Sequence, residues 1–217
     1  MPLFDLVIFD LDGTLIDSKA DLVNAVNATR AHLDRPPLEA PVIASYVGNG
    51  APVLIRRALG DQASDTEVAT GLDFFIRYYH EHCLDATTLY PGSRETIAAL
   101  RSEGIQLAIL TNKPVRISKR IIAGLSLDGD FFEIYGGNSF DQKKPHPIGI
   151  ERLMEQSRVA RAATLMVGDS SVDIETARNA QVAACGCKFG FAPESLASAR
   201  PDFLIDHMAE LSPLVLG

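Results

Sequence analysis

The sequence is poor in several features that mark particular classes of protein. It has only three cysteines in 217 residues, Cys83, Cys185 and Cys187, and none of them forms a C-x-x-C pair. A disulfide framework is therefore not expected, and the reducing cytoplasm is the predicted compartment. No stretch approaches the ~20 apolar residues that a membrane-spanning helix needs. The acidic residues near the N-terminus do not fit a secretory signal peptide.

An excess of positive charge is also absent. The formal net charge of −8 argues against nucleic acid as a general partner, because proteins that bind nucleic acid present basic surfaces. A small anionic substrate stays compatible, since one local cation can dominate a small site. With 47% apolar and 22% charged residues, the composition is that of an ordinary globular protein. We expect a monomer or homodimer that acts on a small molecule rather than on nucleic acid or a membrane.

The most informative stretch is VIFDLDGTL at positions 7–15. Leu6 to Phe9 contain no polar residue and predict a fully buried strand of a parallel sheet. Asp10 and Asp12 follow directly, and buried carboxylates cost several kcal/mol unless a cation or hydrogen-bond donors match them. The carboxyl edge of a parallel sheet is where α/β proteins bind ligands, so this pair predicts a site. An Asx turn before a helix is the alternative interpretation.

Residues 17–85 show helical periodicity and no convincing strand. We predict a first helix capped by Ser18, a second that opens after the loop 46–52 and stops at Gly60, and a third over about 66–83. Such a segment is too long for an ordinary connection between strands. It predicts a helical cap subdomain over 17–85, inserted into a discontinuous α/β core over 1–16 and 86–217.

From residue 90 onward, predicted strands and helices alternate. The strands are expected over 105–110, 131–135, 163–167, 182–187 and 203–205. The helices are expected over 93–103, from Pro114 to 122, over 148–156 and over 174–179. This alternation predicts an α/β fold, a Rossmann-like, doubly wound parallel sheet with helices on both faces.

Three of the predicted strands end in polar residues, and one lysine precedes a helix. These residues are Asp10 and Asp12, Thr111 and Asn112, Asp169 and Asp173, and Lys144 in the stretch KKPHP at 143–147. All carboxyl ends lie at one edge of a parallel sheet, so these side chains can converge. Carboxylates, a hydroxyl and an ammonium group suit a magnesium ion beside a phosphoryl group. Helix capping and a solvated surface lysine are the local alternatives.

The ordered set of these motifs resembles the haloacid dehalogenase (HAD) superfamily. The motifs are DLDGT at 10–14, Thr111 after an apolar strand, Lys144 before Pro145, and Gly168-Asp169-x-x-x-Asp173. The match extends over essentially the whole chain, including a helical insertion after the first motif. The resemblance implies a magnesium-dependent phosphatase. The dehalogenases that name the superfamily lack an acid at the position of Asp12, so Asp12 favours phosphoryl transfer over C–halogen cleavage.

The resemblance also implies a role for each motif residue. Asp10 would be the nucleophile that forms an aspartyl-phosphate, and Asp12 the general acid and base. Three residues would bind the phosphoryl oxygens: Thr111, Asn112 and Lys144. The magnesium ion would be held by the Asp10 carboxylate, the Asp12 backbone carbonyl and Asp169, with Asp173 supporting the metal directly or through water.

Within the superfamily, the chain is similar to the bacterial phosphoglycolate phosphatases. The similar stretches are YVGNG at 46–50 before a helix, Gly92 after Pro91, TNK at 111–113 and KKPHP at 143–147. This resemblance implies hydrolysis of 2-phosphoglycolate to glycolate and phosphate. We expect backbone N–H groups around Gly48, Asn49 and Gly50 to bind the substrate's carboxylate at the helix N-terminus. A turn that merely connects two helices is the alternative.

Three further observations qualify this interpretation. Arg56 and Arg57 could assist substrate binding, although surface solvation is the simpler explanation. Asn138 and Phe140 stand where that branch is expected to have an acidic, less apolar loop. His80 and His82 in HEHC (80–83) lie two residues apart on a predicted helix and point to different faces, so a structural role is favoured over a metal cluster.

Other functions remain open at this point. The chain could be a different HAD small-molecule phosphatase, a pyrophosphatase or a phosphotransferase similar to β-phosphoglucomutase. A receiver-type signalling domain, which is not an enzyme, also combines aspartates, threonine, lysine and magnesium. A receiver is shorter, however, and its phosphorylated aspartate does not lie in an Asp-x-Asp pair.

Overall fold

The N-terminal strand lies in the middle of a six-stranded parallel sheet in the computed structural model, which describes residues 2–217. The strands of the chain are β1 (Leu6–Phe9), β2 (Ile16–Asp17), β3 (Thr88–Leu89), β4 (Gln106–Leu110), β5 (Glu133–Tyr135), β6 (Thr164–Gly168), β7 (Ala183–Cys187) and β8 (Phe203–Ile205). The sheet order is β5-β4-β1-β6-β7-β8. The chain therefore winds outward from β1 in one direction and then in the other, which confirms the predicted doubly wound α/β fold.

Helices cover both faces of this sheet. After the first strands they are α5 (Ser93–Ser102), α6 (Val115–Gly124), α7 (Ile148–Ser157), α8 (Ser171–Ala180), α9 (Pro193–Ala199) and α10 (Leu211–Leu216). Successive strand residues point to opposite faces, so Leu6 and Ile8 belong to one buried cluster and Val7 and Phe9 to the other. All four side chains are fully buried, as the apolar run predicted.

Four helices fill most of the segment between β2 and β3. They are α1 (Lys19–His32), α2 (Ala40–Ala44), α3 (Ala51–Leu59) and α4 (Asp65–His82), and residues 19–82 are called the helical region below. The short strands β2 and β3 pair antiparallel, with Ile16 opposite Leu89. The helical region therefore leaves the core and returns to it at neighbouring points.

One buried carboxylate fixes the return of the chain. Asp21 on α1 is only 1% exposed. It accepts hydrogen bonds from the backbone N–H groups of Ala86 and Thr87, at 2.9 and 2.8 Å, and from the Thr87 hydroxyl at 2.7 Å. These donors replace the hydrogen bonds from water that the Asp21 carboxylate loses on burial.

The structure corrects several local predictions. Ser18 precedes α1 but makes no side-chain capping bond; its hydroxyl donates to Asp12 instead. The strand expected over 131–135 is confined to 133–135, and α8 begins at Ser171 rather than at 174. Five short elements were not predicted: β2, β3, α2, α9 and α10. They span two to seven residues, which is too short for hydrophobic periodicity to emerge.

No helix within residues 2–217 combines the length and the apolarity that a membrane crossing demands.

Candidate active site

The turn after β1 brings the first two acids to the carboxyl edge of the sheet. The backbone N–H of Asp10 donates to the carbonyl of Val167 on β6 at 2.8 Å, which aligns these two strand ends. Gly13 has a φ of +82°, and a Cβ at this position would collide with the Asp169 carboxylate. Glycine is therefore required both for the left-handed backbone and for the space beside Asp169.

Three carboxylates and one ammonium group form a buried cluster at this edge. Asp10, Asp169 and Asp173 each offer an oxygen within 4.8 Å of the others. Lys144 Nζ lies 2.8 Å from Asp10 Oδ1 and 2.6 Å from Asp173 Oδ1. All four residues are at most 8% exposed. The structure thus brings together residues that are more than 160 positions apart in the sequence.

Hydrogen bonds orient the acids that follow β6. Asp173 Oδ2 accepts from the backbone N–H and the hydroxyl of Ser170, at 3.1 and 2.7 Å. The Asp169 Oδ2 atom accepts from the backbone N–H of Phe191 at 2.6 Å. One oxygen of Asp173 therefore caps the start of α8, while the other contacts Lys144 in the acid cluster.

Burial and mutual repulsion make this cluster costly without a further cation. Burial raises the pKa of Asp10 to about 6; the charges of Asp173 and Asp12 add to the rise, whereas Lys144 lowers it. Burial raises the pKa of Asp169 well above its usual range, and the Asp173 and Asp10 charges act in the same direction. The pKa of Lys144 is raised because its two carboxylate partners outweigh its burial.

The donor set fits a divalent metal ion. Asp10, Asp169 and Asp173 carry three formal negative charges against the single positive charge of Lys144. Carboxylate oxygens are the ligands of hard cations such as magnesium. A divalent cation would balance the excess charge and relieve the repulsion that raises the pKa values of Asp10 and Asp169. Within residues 2–217, these three acids are the one group of potential ligands with this spacing.

A second ion pair lies at the pocket side of the cluster, and sequence reasoning assigned no role to its lysine. Lys113 Nζ lies 2.7 and 2.8 Å from the two carboxylate oxygens of Asp12. It also donates to the hydroxyl of Tyr79 on α4 at 2.7 Å and lies 4.5 Å from the centre of that ring. Burial raises the pKa of Tyr79, so its hydroxyl stays neutral. The Ser18 hydroxyl donates to Asp12 as well.

The residues after β4 lie on the same edge. Thr111 is 3% exposed, and its hydroxyl accepts from the Lys113 backbone N–H at 3.2 Å. The Asn112 side-chain amide donates to the carbonyl oxygens of Gly48 and Lys144, at 3.0 and 3.1 Å. Both hydrogens of this amide are therefore engaged, and its side chain joins the helical region to the loop of Lys144.

These groups face a pocket of about 630 Å³ of empty space, part of it open to solvent. Asp10, Asp12, Thr111 and Asp169 line it on the sheet side; Val47, Gly48, Gly50 and Leu54 line it on the side of the helical region. Asn49 does not line this pocket, but its carbonyl accepts from Lys143 Nζ at 2.6 Å. Gly50, at a φ of +83°, precedes α3 and faces the carbonyl of Asn112.

The two arginines that could have assisted substrate binding do not line the pocket. Arg56 donates to the carbonyl of Ala63 at 3.0 Å and pairs with Asp65, while Arg57 is exposed. Their surface environment matches the simpler of the two interpretations. His82 pairs with Asp85 at 2.7 Å and its ring stacks on Tyr78.

The unexpected loop residues 138 and 140 have local roles. The side-chain oxygen of Asn138 accepts from the backbone N–H of Val115, the first residue of α6, at 2.9 Å. Phe140 contacts the ring of Tyr135 edge-on, at 4.7 Å between centres. Both contacts pack this loop against the sheet edge without involving the acid cluster.

Comparison with known proteins agrees with this geometry. The family model of haloacid dehalogenase-like hydrolases matches residues 7–187. The phosphoglycolate phosphatase of Pseudomonas syringae pv. tomato is 38% identical over 214 residues, which cover 96% of this chain and 78% of that protein. The phosphoglycolate phosphatase of Vibrio vulnificus strain YJ016 is 39% identical over 219 residues, which cover 97% and 96%.

Solved structures give the same result. The crystal structure of a predicted phosphoglycolate phosphatase from Haemophilus somnus 129PT superposes with a TM-score of 0.93 at 32% identity. The superposition covers 99% of each chain. The chain therefore belongs to the haloacid dehalogenase-like hydrolase family, and within that family it is a phosphatase. Its predicted similarity to the phosphoglycolate phosphatases is confirmed.

Proposed function

We propose that the protein is a magnesium-dependent phosphatase that hydrolyses 2-phosphoglycolate to glycolate and phosphate. The observation that carries this proposal is that Asp10, Asp12 and Asp169 line one pocket, with Lys144 Nζ 2.8 Å from Asp10 Oδ1. The names of the relatives at 38 and 39% identity support the substrate. Three free cysteines suit the reducing cytoplasm as its place of action.

In the proposed first step, an oxygen of Asp10 attacks the phosphorus of the substrate. The bond between phosphorus and Asp10 forms as the bond to the ester oxygen breaks. Asp12 gives its proton to the departing alkoxide, so that glycolate leaves as the alcohol. Lys144 offsets the negative charge that gathers around Asp10 during this step.

In the second step, water attacks the aspartyl-phosphate. Asp12, now a carboxylate, accepts a proton from that water, the bond between phosphorus and Asp10 breaks, and inorganic phosphate is released. Two backbone groups near the nucleophile support phosphate binding: among residues 2–217, the N–H groups of Asp12 and Asn112 donate to no protein acceptor. We assign the Thr111 hydroxyl and Lys144 to the same phosphoryl oxygens.

Asp10, Asp169 and the Asp12 backbone carbonyl would hold the magnesium ion, supported by Asp173. When bound, the ion neutralises charge on the phosphoryl group and on the nucleophile. The anionic nucleophile and the anionic substrate repel each other, and this repulsion is the main obstacle that charge neutralisation in the site must overcome.

The helical region would act as a cap that determines which substrates fit. Three residues of its loop, Val47, Gly48 and Gly50, line the pocket together with Asp10. The N–H groups of Gly48, Asn49 and Gly50, next to the N-terminus of α3, are the proposed neutral donors to the substrate's carboxylate. Closure of this region would also limit access of bulk water to the aspartyl-phosphate.

A screen of phosphorylated metabolites with magnesium tests the proposal. We expect sustained release of inorganic phosphate, with the highest kcat/KM for 2-phosphoglycolate. Sugar-phosphate isomerisation without phosphate release would indicate a mutase instead. Preferential hydrolysis of pyrophosphate or of an unrelated phosphomonoester would retain the phosphatase and contradict the substrate.

A further inference from the structure

One basic side chain that faces the pocket has no part in the proposed chemistry. Of the residues within 2–217 that line the pocket, Lys113 is the one with a basic side chain. Lys144 is not a lining residue, and its ammonium group contacts both Asp10 and Asp173. Lys143 donates to the backbone of Asn49 outside the pocket. Among the described residues that line the pocket, Lys113 is therefore the one basic side chain that an anionic group of a substrate can contact.

The position of Lys113 is defined from two sides. Asp12 on the core and Tyr79 on α4 both contact its ammonium group, and the residue is only 5% exposed. The ring of Tyr79 lies 4.5 Å from Nζ, a distance at which a cation is attracted to an aromatic face. Lys113 is thus held in a fixed place rather than free in solvent.

This place matches the leaving-group side of the reaction. If Asp12 protonates the ester oxygen, that oxygen lies within a hydrogen bond of its carboxylate, and Lys113 Nζ is 2.7 to 2.8 Å from the same carboxylate. Two successive hydrogen bonds span at most about 6 Å, so Lys113 lies near the first atoms of the leaving group. In 2-phosphoglycolate the carboxylate is attached one carbon beyond the ester oxygen.

The charge of the site gives a second reason. Asp10, Asp169, Asp173 and a phosphoryl dianion carry five formal negative charges, while Lys144 and a divalent ion supply three positive ones. A further carboxylate entering such a site is opposed by repulsion unless another cation lies beside it. Asp12 pairs with Lys113 and is left out of this count because the proposed first step requires it to be protonated. In that state Asp12 is neutral and one hydrogen bond from Lys113 is released, so among the lining residues Lys113 is placed to supply the missing positive charge.

We propose that Lys113, positioned by Tyr79, is the specificity-determining residue that binds the carboxylate of the substrate. The substrate class is then a phosphomonoester whose leaving group carries an anion one carbon from the ester oxygen. This inference rests on the proposed function, since it concerns how the same site recognises its substrate. It assigns the charged contact to the core rather than to the helical region.

The test compares two substrates that differ in charge. Rates of phosphate release with magnesium are measured for 2-phosphoglycolate and for 2-hydroxyethyl phosphate, in which a CH2OH group replaces the carboxylate. The proteins are the wild type, Lys113→Met and the matched control Lys119→Met, whose lysine is exposed on α6. The quantity of interest is the ratio of the two kcat/KM values.

We expect Lys113→Met to lower this ratio about 10- to 100-fold, the loss of a hydrogen bond between charged groups. The loss should appear mainly as a higher KM for 2-phosphoglycolate, with a parallel rise in the inhibition constant of glycolate. Lys119→Met should keep the wild-type ratio. An equal fall of kcat for both substrates in Lys113→Met would overturn the proposal, because Lys113 would then act only through Asp12.

A milder variant keeps the test valid if Lys113→Met does not fold. Tyr79→Phe retains the ring and loses the hydroxyl, and should lower the ratio about 2- to 5-fold. An unchanged ratio in Tyr79→Phe would contradict its positioning role. If the wild type itself shows no preference for 2-phosphoglycolate, the proposed function fails. The wild-type measurement alone reveals that outcome, so it is distinguishable from a failure of the Lys113 proposal, which only the variants can show.

Discussion

The two sides of the pocket are held together by different forces. On the sheet side, Asp10, Asp169 and Asp173 contact Lys144 and backbone donors in a fully buried cluster. On the opposite side, the helical region contacts the core near the pocket mainly through the carbonyls of Gly48 and Asn49 and the hydroxyl of Tyr79. Breaking a buried ion pair costs about 3–5 kcal/mol. A neutral hydrogen bond contributes about 0.5–1.5 kcal/mol, and one from an ammonium group about 1.5–3 kcal/mol.

We expect this difference to separate the proposed chemistry from the selection of the substrate. The reacting groups are fixed by strand ends and close backbone contacts, so their geometry exists before substrate arrives. The wall formed by the helical region makes few polar contacts with the core near the pocket, and apolar packing and Asp21 attach the rest of the region. Substitutions in the buried acid cluster should therefore lower turnover, and loss of its lysine should lower stability as well. Substitutions of Lys113 or in the loop of the helical region should act mainly on KM.

The largest expected effect is on the nucleophile. Asp10→Asn should lower kcat at least roughly 10⁴-fold, because an amide cannot form the proposed aspartyl-phosphate. Circular dichroism should show an intact fold, since the substitution keeps the shape of the side chain. The control is Asp61→Asn, an exposed aspartate in the helical region, which should retain activity. Substantial phosphate release by Asp10→Asn would refute the covalent role.

Removal of the buried cation should have the next largest effect. Lys144→Met leaves Asp10 and Asp173 without their shared partner, so the free energy of unfolding should fall by about 3–5 kcal/mol in denaturant titrations. The matched control is Lys188→Met, whose lysine pairs with Asp206 in a half-exposed ion pair. That variant should change stability by less than about 1 kcal/mol. Equal effects of the two substitutions would contradict the difference between buried and surface pairs.

Magnesium should stabilise the sheet side without any substitution. At 100 times its dissociation constant, a ligand that binds only the folded state adds about 2.7 kcal/mol to the free energy of unfolding. Thermal melts with and without magnesium should show this shift, and EDTA should reverse it and stop phosphate release. In the Asp169→Asn variant, magnesium should raise the melting temperature much less than in the wild type. A melting temperature independent of magnesium would argue against a metal at these three acids.

Asp21 tests how the helical region is attached to the core. Asp21→Ala removes the acceptor for Ala86 and Thr87 and should lower the free energy of unfolding by about 2 kcal/mol. The control, Asp73→Ala, changes an exposed aspartate of α4 that lies 3.9 Å from Arg77. Limited proteolysis should then cut the Asp21→Ala variant faster near residue 86. Unchanged stability would mean that other contacts hold this connection.

The smallest effect is expected across the pocket. Lys143→Met removes the hydrogen bond to the Asn49 carbonyl and should raise KM for 2-phosphoglycolate about 2- to 5-fold while kcat stays nearly constant. Its control is the exposed Lys119→Met. A fall in kcat comparable to that of a sheet-side variant would contradict the separation of chemistry from selection.

The sheet side was largely predictable from sequence because its signals are local. An apolar strand followed at once by Asp10, and a second one followed by Asp169, place both acids at the same edge in any parallel sheet. Lys144 lies in a loop, so its contact with Asp10 depended on the family resemblance. The bounds of β1 and α4 match the periodicity within one residue, whereas α3 begins at Ala51, inside the predicted loop.

The contacts of the opposite side could not be predicted in the same way. Lys113 and Tyr79 are 34 positions apart. Tyr79 lies on α4 and Lys113 lies in the loop between β4 and α6, so no periodic pattern in the sequence links them. Ser18 has the sequence signal of a helix cap, yet its hydroxyl contacts Asp12, because tertiary proximity offers it a charged acceptor. Long-range pairs of single side chains leave no local signal.

The short ribbon of β2 and β3 has a consequence for protein engineering. Ile16 and Leu89 lie opposite each other, so the ends of the intervening chain are already neighbours. Exchanging that chain for another of different length changes the entropy of loop closure only slowly, by roughly 0.6 kcal/mol for each doubling of length. Chimeras that carry a foreign helical module between these two strands can therefore keep the registers of the parallel sheet while presenting a new wall to the substrate.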